Sequence, residues 1–520
     1  MFSKKAFYFI ILLLALGGGF CFGQTKKNPK VLVKEAQLYF DNEDYYKSWL
    51  IYKDVLAIEE KNENAGVNAC ICSFKLNYPS DSVVFLATNL NASSLIDAKY
   101  YLAKIKHQQK LFDEAIVLLE TYNKENPKKR LIGIDETNYF INVCKSGKEL
   151  VSKPHRSVIK NMGPEINSAF ADFVPVLTPD ENTLFFTSRR EGSSSNKKDV
   201  YGNFLEDVYI SVKENGKWKK AENIGTPINS ETNDACVAVS PDGQRMIIFR
   251  TSADGVTGDL YITKLGIDNK WEALVKMGKE INSQFIETSA CFSNDTSEIY
   301  FSSNRPGGYG GKDIYRIKKL PNGRWAMPYN LGQNINTAYD DDAPYLHPDG
   351  VTLYFSSKGH NTMGDYDVFK SVLDKENNQF SKAENLGYPI NNIGNDIFFV
   401  LSVDGQRGYY SSTKEDTYGN VDIYQIDTRF GDNDLKVKHG VALKGSDFGK
   451  VKITLLDNES NQVNGTYYSN PKTGKFILVM NPLKSYKAII ESEGFKTLVV
   501  DIDPIAFEKS PKDLEFKLEQ

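Results

Sequence analysis

Residues 225–248 read GTPINSETNDACVAVSPDGQRMII, and the pattern in this stretch recurs five times between about residues 160 and 430. Each copy runs Gly-x-x-Ile-Asn, four residues, an acid, seven residues, an Asp, four residues and a strand-forming pair. The copies begin at Gly163, Gly225, Gly278, Gly332 and Gly387, at spacings of 62, 53, 54 and 55 residues. Inside the block the offsets never slip. The Ile-Asn pairs are Ile166-Asn167, Ile228-Asn229, Ile281-Asn282, Ile335-Asn336 and Ile390-Asn391. Six residues after each Ile come Asp172, Asp234, Glu287, Asp341 and Asp396, and eight further on Asp180, Asp242, Asp295, Asp349 and Asp404. The closing pairs are Phe185-Phe186, Ile247-Ile248, Tyr300-Phe301, Tyr354-Phe355 and Tyr409-Tyr410. A repeat of this length built from short strands predicts a β-propeller.

Each unit reads as four strands. In the second, Ala235 to Val239 is an inner strand, Ser240-Pro241-Asp242-Gly243 a tight turn and Met246 to Phe249 the second strand. Third strands start at Asp207, Asp259, Asp313, Asp367 and Asp422. Trp218, Trp271, Trp325 and Phe380 share one outer-strand position. The fifth unit lacks its fourth strand, because the chain leaves after Arg429. Ser157 to Met162 is strand-like and unclaimed, so closure by that segment predicts five blades with no open edge; six blades is the alternative. The first unit carries about nine extra residues through Gly192-Ser193-Ser194-Ser195-Asn196, so the loop at 189–206 is a candidate contact site.

At 520 residues the chain exceeds one ordinary domain. A net charge of −4 with interspersed signs gives no footprint for nucleic acid or an anionic membrane. Lys4, Lys5 and the short apolar run Phe7 to Leu16 predict a signal peptide over 1–23 and export to the periplasm. Lipidation at Cys21 is the rival reading, disfavoured by Phe20 where a small residue belongs. No second long apolar run exists, so no transmembrane span is expected. Cys70, Cys72, Cys144, Cys236 and Cys291 form no disulfide framework and no zinc motif.

From about residue 28 to 148 the apolar periodicity is helical. Ala36, Ser48 and Tyr52 are echoed at the same offsets by Ala103, Ala115 and Leu119. This resembles tetratricopeptide repeats, which implies an α-helical solenoid with a concave partner-binding face. Phe301-Ser302-Ser303-Asn304-Arg305-Pro306-Gly307-Gly308-Tyr309-Gly310-Gly311-Lys312-Asp313-Ile314-Tyr315 resembles the WD40-like "PD40" repeat of TolB-type propellers, covering 156–430. From 436 to 520, alternating strands with Gly474-Lys475-Phe476, Asn481-Pro482 and Glu493-Gly494-Phe495 resemble the carboxypeptidase regulatory-like module, a small β-sandwich. This order of domains is similar to a periplasmic component of the type IX secretion and gliding system of Bacteroidetes. In that component an OmpA-like domain follows, whereas this sequence stops at Gln520.

No catalytic constellation stands out. The five histidines, His107, His155, His347, His360 and His439, are scattered, and there is no nucleophile elbow and no phosphate loop. The expectation is therefore of a chain that is not an enzyme, needs no cofactor and holds no metal. The candidate binding residues are the acids that begin the inner strands, Asp172, Asp234, Glu287, Asp341 and Asp396. A ring of them at one end of the channel is suited to a cation or basic peptide, and the competing reading is that each caps its own turn. The main functional expectation is a scaffold for protein partners in the cell envelope, associated peripherally with the outer membrane. The alternative is a glycan- or cell-wall-binding propeller, which requires exposed aromatics gathered at one mouth.

Overall fold

The computed structural model describes residues 28–76, 96–125, 127–199, 201–253, 255, 257–427, 435–504 and 513–520. The expected signal peptide and Cys21 lie outside the described residues. The fold is rich in small antiparallel sheets with a few helices, and the chain divides into two compact units at Tyr101/Leu102.

Unit one holds α1 (Pro29–Asp41), α2 (Tyr45–Ile58) and α3 (Glu63–Lys75), with α4 (Ala98–Gln108) crossing its end. Asn28, Asp44 and Asn62 cap the first three by accepting backbone N–H groups. Ala36 is fully buried, and Ser48 Oγ donates to its carbonyl at 3.0 Å, so small residues let α1 and α2 approach closely.

The second unit begins in the middle of α4 and continues with α5 (Phe112–Asn123) and α6 (Ile134–Ser152). One continuous tetratricopeptide solenoid over 28–148 is therefore not supported. The physical reason is that these later helices spend side chains on the sheets instead of on a further helical layer. His107 Nε2 bonds Met363 O at 2.8 Å, and Tyr139 donates to Lys358 O at 2.7 Å while its ring lies 4.3 Å from Tyr339. Burial lowers the His107 pKa to about 4, so the imidazole is neutral and Nε2–H is the donor.

Five antiparallel sheets follow, one per repeat. Their inner strands are Asp172–Leu177, Asp234–Val239, Ala290–Phe292, Asp341–Leu346 and Ile397–Leu401. Each inner strand contacts the next, and the fifth contacts the first, so the sheets form a closed five-bladed ring. The fifth sheet takes its outer strand from Val158–Asn161, which pairs antiparallel with Asp422–Asp427 from Val158↔Asp427 to Asn161↔Tyr424. Blades pack through large apolar side chains. Phe185 of blade 1 meets Trp271 of blade 2 edge-on at 6.2 Å, and Tyr300 of blade 3 meets Phe380 of blade 4 at 6.3 Å.

After the ring come two four-stranded sheets. One carries Lys436–Lys444, Asp447–Phe448, Lys475–Met480 and Leu514–Leu518; the other Lys452–Asp457, Val463–Tyr468, Tyr486–Glu491 and Leu498–Ile502. Alternate residues of both enter one core around Ile453, Leu455, Tyr467, Phe476, Ile490 and Phe516.

Candidate functional site

The ladder residues lock the ring. Each Ile-Asn amide bridges to the third strand of the preceding blade. Asn229 Nδ2 donates to Val208 O at 2.9 Å while its Oδ1 accepts from Val208 N at 2.8 Å. Asn282 does the same with Leu260, Asn336 with Ile314 and Asn391 with Val368. Asn167 reaches Ile423 of blade 5, carrying the pattern across the closure.

The five candidate acids are fully buried, and their hydrogen-bond partners lie in their own repeats. Asp172 accepts from Ser168 N–H and Oγ, Asp234 from Ser230 N–H and Oγ, and Glu287 from Ser283 N–H and Oγ. Asp341 accepts from Thr337 N–H and Oγ1, and Asp396 from Asn392 N–H, Asn392 Nδ2 and Ser412 Oγ. None of the five lines the cavity along the ring axis. Blades 1 to 3 add a guanidinium. Arg190 pairs with Asp172, Arg250 with Asp234 at 2.5 Å and Arg305 with Glu287 at 3.2 Å. Each of these arginines also donates to the carbonyl of the Ile six residues before its acid.

Blade 4 departs from this scheme. Gly359 stands where Arg305 stands in blade 3, because a Cβ there would lie 2.2 Å from Thr337 Oγ1. His360 Nε2 takes the Ile335 carbonyl at 2.9 Å, but among the described residues no cation pairs with Asp341, whose Oδ1 makes no hydrogen bond. Burial pushes the Asp341 pKa up to about 7. In blade 5 burial raises Asp396 to about 6, against the opposing charge of Lys414. Asp342, next in the chain, is also buried, yet Lys312 at 2.7 Å and hydroxyls of Ser289 and Ser302 hold it down at about 2.

Strand registers define the two faces of the ring. Asp172↔Ser188 and Ser188↔Asp207 put the start of the inner strand and the loop between second and third strands at one end. On this loop face five aromatic side chains are exposed: Phe170 at 37%, Tyr201 at 46%, Tyr309 at 48%, Tyr339 at 41% and Tyr418 at 53%. Tyr309 and Tyr418 precede Gly310 and Gly419, and each pair folds back onto the third-strand Asp. Asp313 accepts from Tyr309 N–H at 2.7 Å, and Asp422 from Tyr418 N–H at 2.8 Å. A Cβ on Gly419 would lie 2.0 Å from Phe170 O, so only glycine lets this loop pass the neighbouring blade. In the blade 1 insertion Arg189 bonds Asp199 at 2.9 Å and Glu206 at 2.6 Å. The insertion sets Phe204 edge-on to Phe170 at 5.7 Å.

The opposite, turn face is covered by the C-terminal sheets. Gln244 Nε2 donates to Tyr468 O at 2.5 Å, Asn294 Nδ2 to Asn464 O at 2.8 Å, and Val403 packs with Leu435 and Val479. Between the two faces all five inner strands line an axial cavity of about 100 Å³, walled by Val174, Val237, Cys291, Tyr345 and Phe399 among others. Its polar groups are paired: Tyr409 Oη donates to Glu181, which Arg407 also holds at 2.7 Å. Among the described residues no group of three or more His, Cys, Asp or Glu is placed to hold a metal ion, and no helix is long and apolar enough to cross a membrane. The described cysteines are buried.

No protein-family model and no curated protein matches the chain. Among solved structures, an α-L-arabinofuranosidase from Podospora anserina is similar at 12% identity and a TM-score of 0.34, over 51% of this chain and 94% of that one. An α-L-arabinofuranosidase from Lactobacillus brevis is similar at 13% identity and 0.34, over 51% and 96%. An endo-arabinase from Bacteroides thetaiotaomicron is similar at 13% identity and 0.36, over 52% and 99%. All three are enzymes, and on this finding the expectation that the chain is not an enzyme is withdrawn. Likenesses of this size assign neither a reaction nor a site.

The loop-face aromatics were not singled out by the sequence reading. Their signal was present, since Tyr309-Gly310 and Tyr418-Gly419 fall at one offset before Asp313 and Asp422.

Proposed function

We propose that the chain binds carbohydrate through the loop face of its ring. The observation that carries this reading is the gathering of Phe170, Tyr201, Tyr309 and Tyr418, all exposed, at one end of the blades. Solvent-exposed aromatic rings on a rigid scaffold mark interaction sites, and flat apolar faces with a polar tip suit the C–H faces and hydroxyls of sugars. The expected N-terminal export signal puts the ligand in the cell envelope.

The test is retention of the full chain on insoluble peptidoglycan and on arabinan, with release of reducing sugar followed in the same samples. The double variant Tyr309→Ala/Tyr418→Ala should bind about tenfold more weakly, as loss of one to two aromatic contacts implies. Equal retention of both proteins, or no retention of either, rules the reading out.

A second reading is a scaffold for envelope protein partners, as the resemblance to type IX components implies. One contact favours it: Tyr139 of α6 already sits on Tyr339 of the same face, so that face accepts a protein side chain. Affinity purification of the tagged chain from its native envelope separates the two. Recovery of no protein together with sugar binding excludes the scaffold.

A further inference from the structure

Repeat equivalence sorts the aromatics of the loop face into two kinds of position. Phe170 and Tyr339 each stand seven residues after a block glycine, Gly163 and Gly332. Tyr309 and Tyr418 each stand four before a third-strand Asp, Asp313 and Asp422. The glycine after each tyrosine carries its loop against the next blade. A Cβ on Gly310 would lie 2.2 Å from Tyr339 O, and one on Gly419 2.0 Å from Phe170 O. Two notches of one build result: Tyr309 with Tyr339 between blades 3 and 4, and Tyr418 with Phe170 between blades 5 and 1. At the other three junctions these positions hold Asn203 with Thr232, Gly255 with Phe285, and Met363 with Gly394, so none of them pairs two aromatics.

The two notches differ in what fills them. At the first, the Tyr139 ring of α6 lies 4.3 Å from Tyr339 at 33°, and its hydroxyl donates to Lys358 O at 2.7 Å. At the second, Tyr418 is 53% and Phe170 37% exposed, and Phe204 meets Phe170 edge-on at 76° instead of lying on it. The acceptor is repeated as well. Lys358 and Arg189 both follow their blade's acid by seventeen residues. Their N–H groups donate at 2.9 Å to Asp340 O and Ala171 O, so Arg189 O stands in blade 1 where Lys358 O stands in blade 4. We propose, resting on the loop-face carbohydrate reading, that the Tyr418–Phe170 notch seats one sugar ring and that Tyr139 covers a second such seat at Tyr309–Tyr339. A sugar ring offers what Tyr139 offers: a flat face of C–H groups for the aromatic ring and a hydroxyl at the rim for the backbone carbonyl. Tyr139 is thus an internal stand-in for the ligand, and α6 leaves one of the two seats open.

The experiment is amide hydrogen exchange of the full chain with and without millimolar arabinotriose and, separately, the N-acetylglucosamine–N-acetylmuramic acid disaccharide of peptidoglycan. In the unsubstituted chain one of these sugars should slow exchange over residues 413–421, the Tyr418 loop, and leave 304–312, the Tyr309 loop, unchanged. Tyr418→Ala should weaken that binding about tenfold. Tyr139→Ala should add protection over 304–312, and equilibrium dialysis should then find about double the sugar bound per chain at saturation. Tyr139→Phe keeps a ring on Tyr339 and should show no added protection, and Tyr139→Ala/Tyr339→Ala should lose it again. Tyr139→Ser removes the ring in a second way should Tyr139→Ala fail to fold. Protection confined to 413–421 when the Tyr139 ring is gone, or present at 304–312 while it is in place, overturns the covered seat and leaves the loop-face reading standing. No protection by either sugar at either loop in any of the proteins overturns that reading together with both seats.

Discussion

Asp341→Asn should stabilise the protein at neutral pH, whereas the same change at the equivalent Asp172 should destabilise it. Asp341 is fully buried with one oxygen unpaired, and burial raises its pKa from 3.8 to about 7. The folded state therefore binds this proton more tightly than the unfolded chain does. The sign follows from linkage: the contribution is fully favourable below about pH 4, falls as pH rises, and is lost above about pH 7. At about 1.4 kcal/mol per pH step, the penalty for the ionised form approaches about 4 kcal/mol at pH 8. Asparagine removes the charge and keeps an acceptor for Thr337 N–H. We expect a net gain of about 1–3 kcal/mol at pH 8, shrinking to nothing near pH 4, after allowing for imperfect amide geometry. In Asp172→Asn the Arg190 guanidinium, 14% exposed, loses its counter-ion, a loss of about 3 kcal/mol. Urea unfolding between pH 5 and 8, read by tryptophan fluorescence, measures both, because Trp218, Trp271 and Trp325 all lie in the ring. A destabilised Asp341→Asn at pH 8, or a difference from wild type that does not change with pH, would refute the reasoning.

Three further outcomes are expected. Asn229→Ala leaves Val208 N–H unpaired in a buried seam, while Val208 O keeps the Ile224 N–H at 3.1 Å, and should lower ring stability by about 1–3 kcal/mol, visible as a lower urea midpoint. Gly419→Ala places a methyl 2.0 Å from Phe170 O and should displace the Tyr418 loop, detected as faster amide exchange over residues 413–421 while the inner strands stay protected. Tyr139→Phe removes the donor to Lys358 O but keeps the ring on Tyr339, so exchange in α6 should rise modestly, by about 1 kcal/mol of protection, and Tyr139→Ala should raise it further.

The ladder made the ring legible because every blade solves one folding problem with the same atoms. Asn229 and its four equivalents bridge blades through backbone groups, so their spacing tracks strand length and survives wherever side-chain packing varies. Closure by Val158–Asn161 followed from the missing fourth strand of the last repeat. The helical segment was less transparent. Ala36, Ser48, Ala103 and Ala115 are all fully buried, but small buried residues report only close approach and not what approaches. His107 and Tyr139 decide that the later helices belong with the sheets, and both partners, Met363 and Lys358, are more than two hundred residues away. The acids drew attention because they are charged and periodic. Their turn-capping partners lie four residues earlier, a local bond of the kind Ser, Thr and Asn make at many turns. What sequence alone did not expose is the singular member of the set, Asp341 without its arginine.

The seam at Val158–Asn161 has a consequence for biosynthesis. Its partner Asp422–Asp427 emerges only after four complete blades, so the ring is an open arc for most of its synthesis. Until the last strands arrive, Val158–Asn161 has no partner and the facing sides of blades 1 and 4 have no cover, so the arc presents two sticky ends of complementary shape. A nascent chain in that state pairs as readily with a second nascent chain as with itself. The latch strand turns a repeat that could grow without limit into a counted, finite object, and it does so at the latest possible moment.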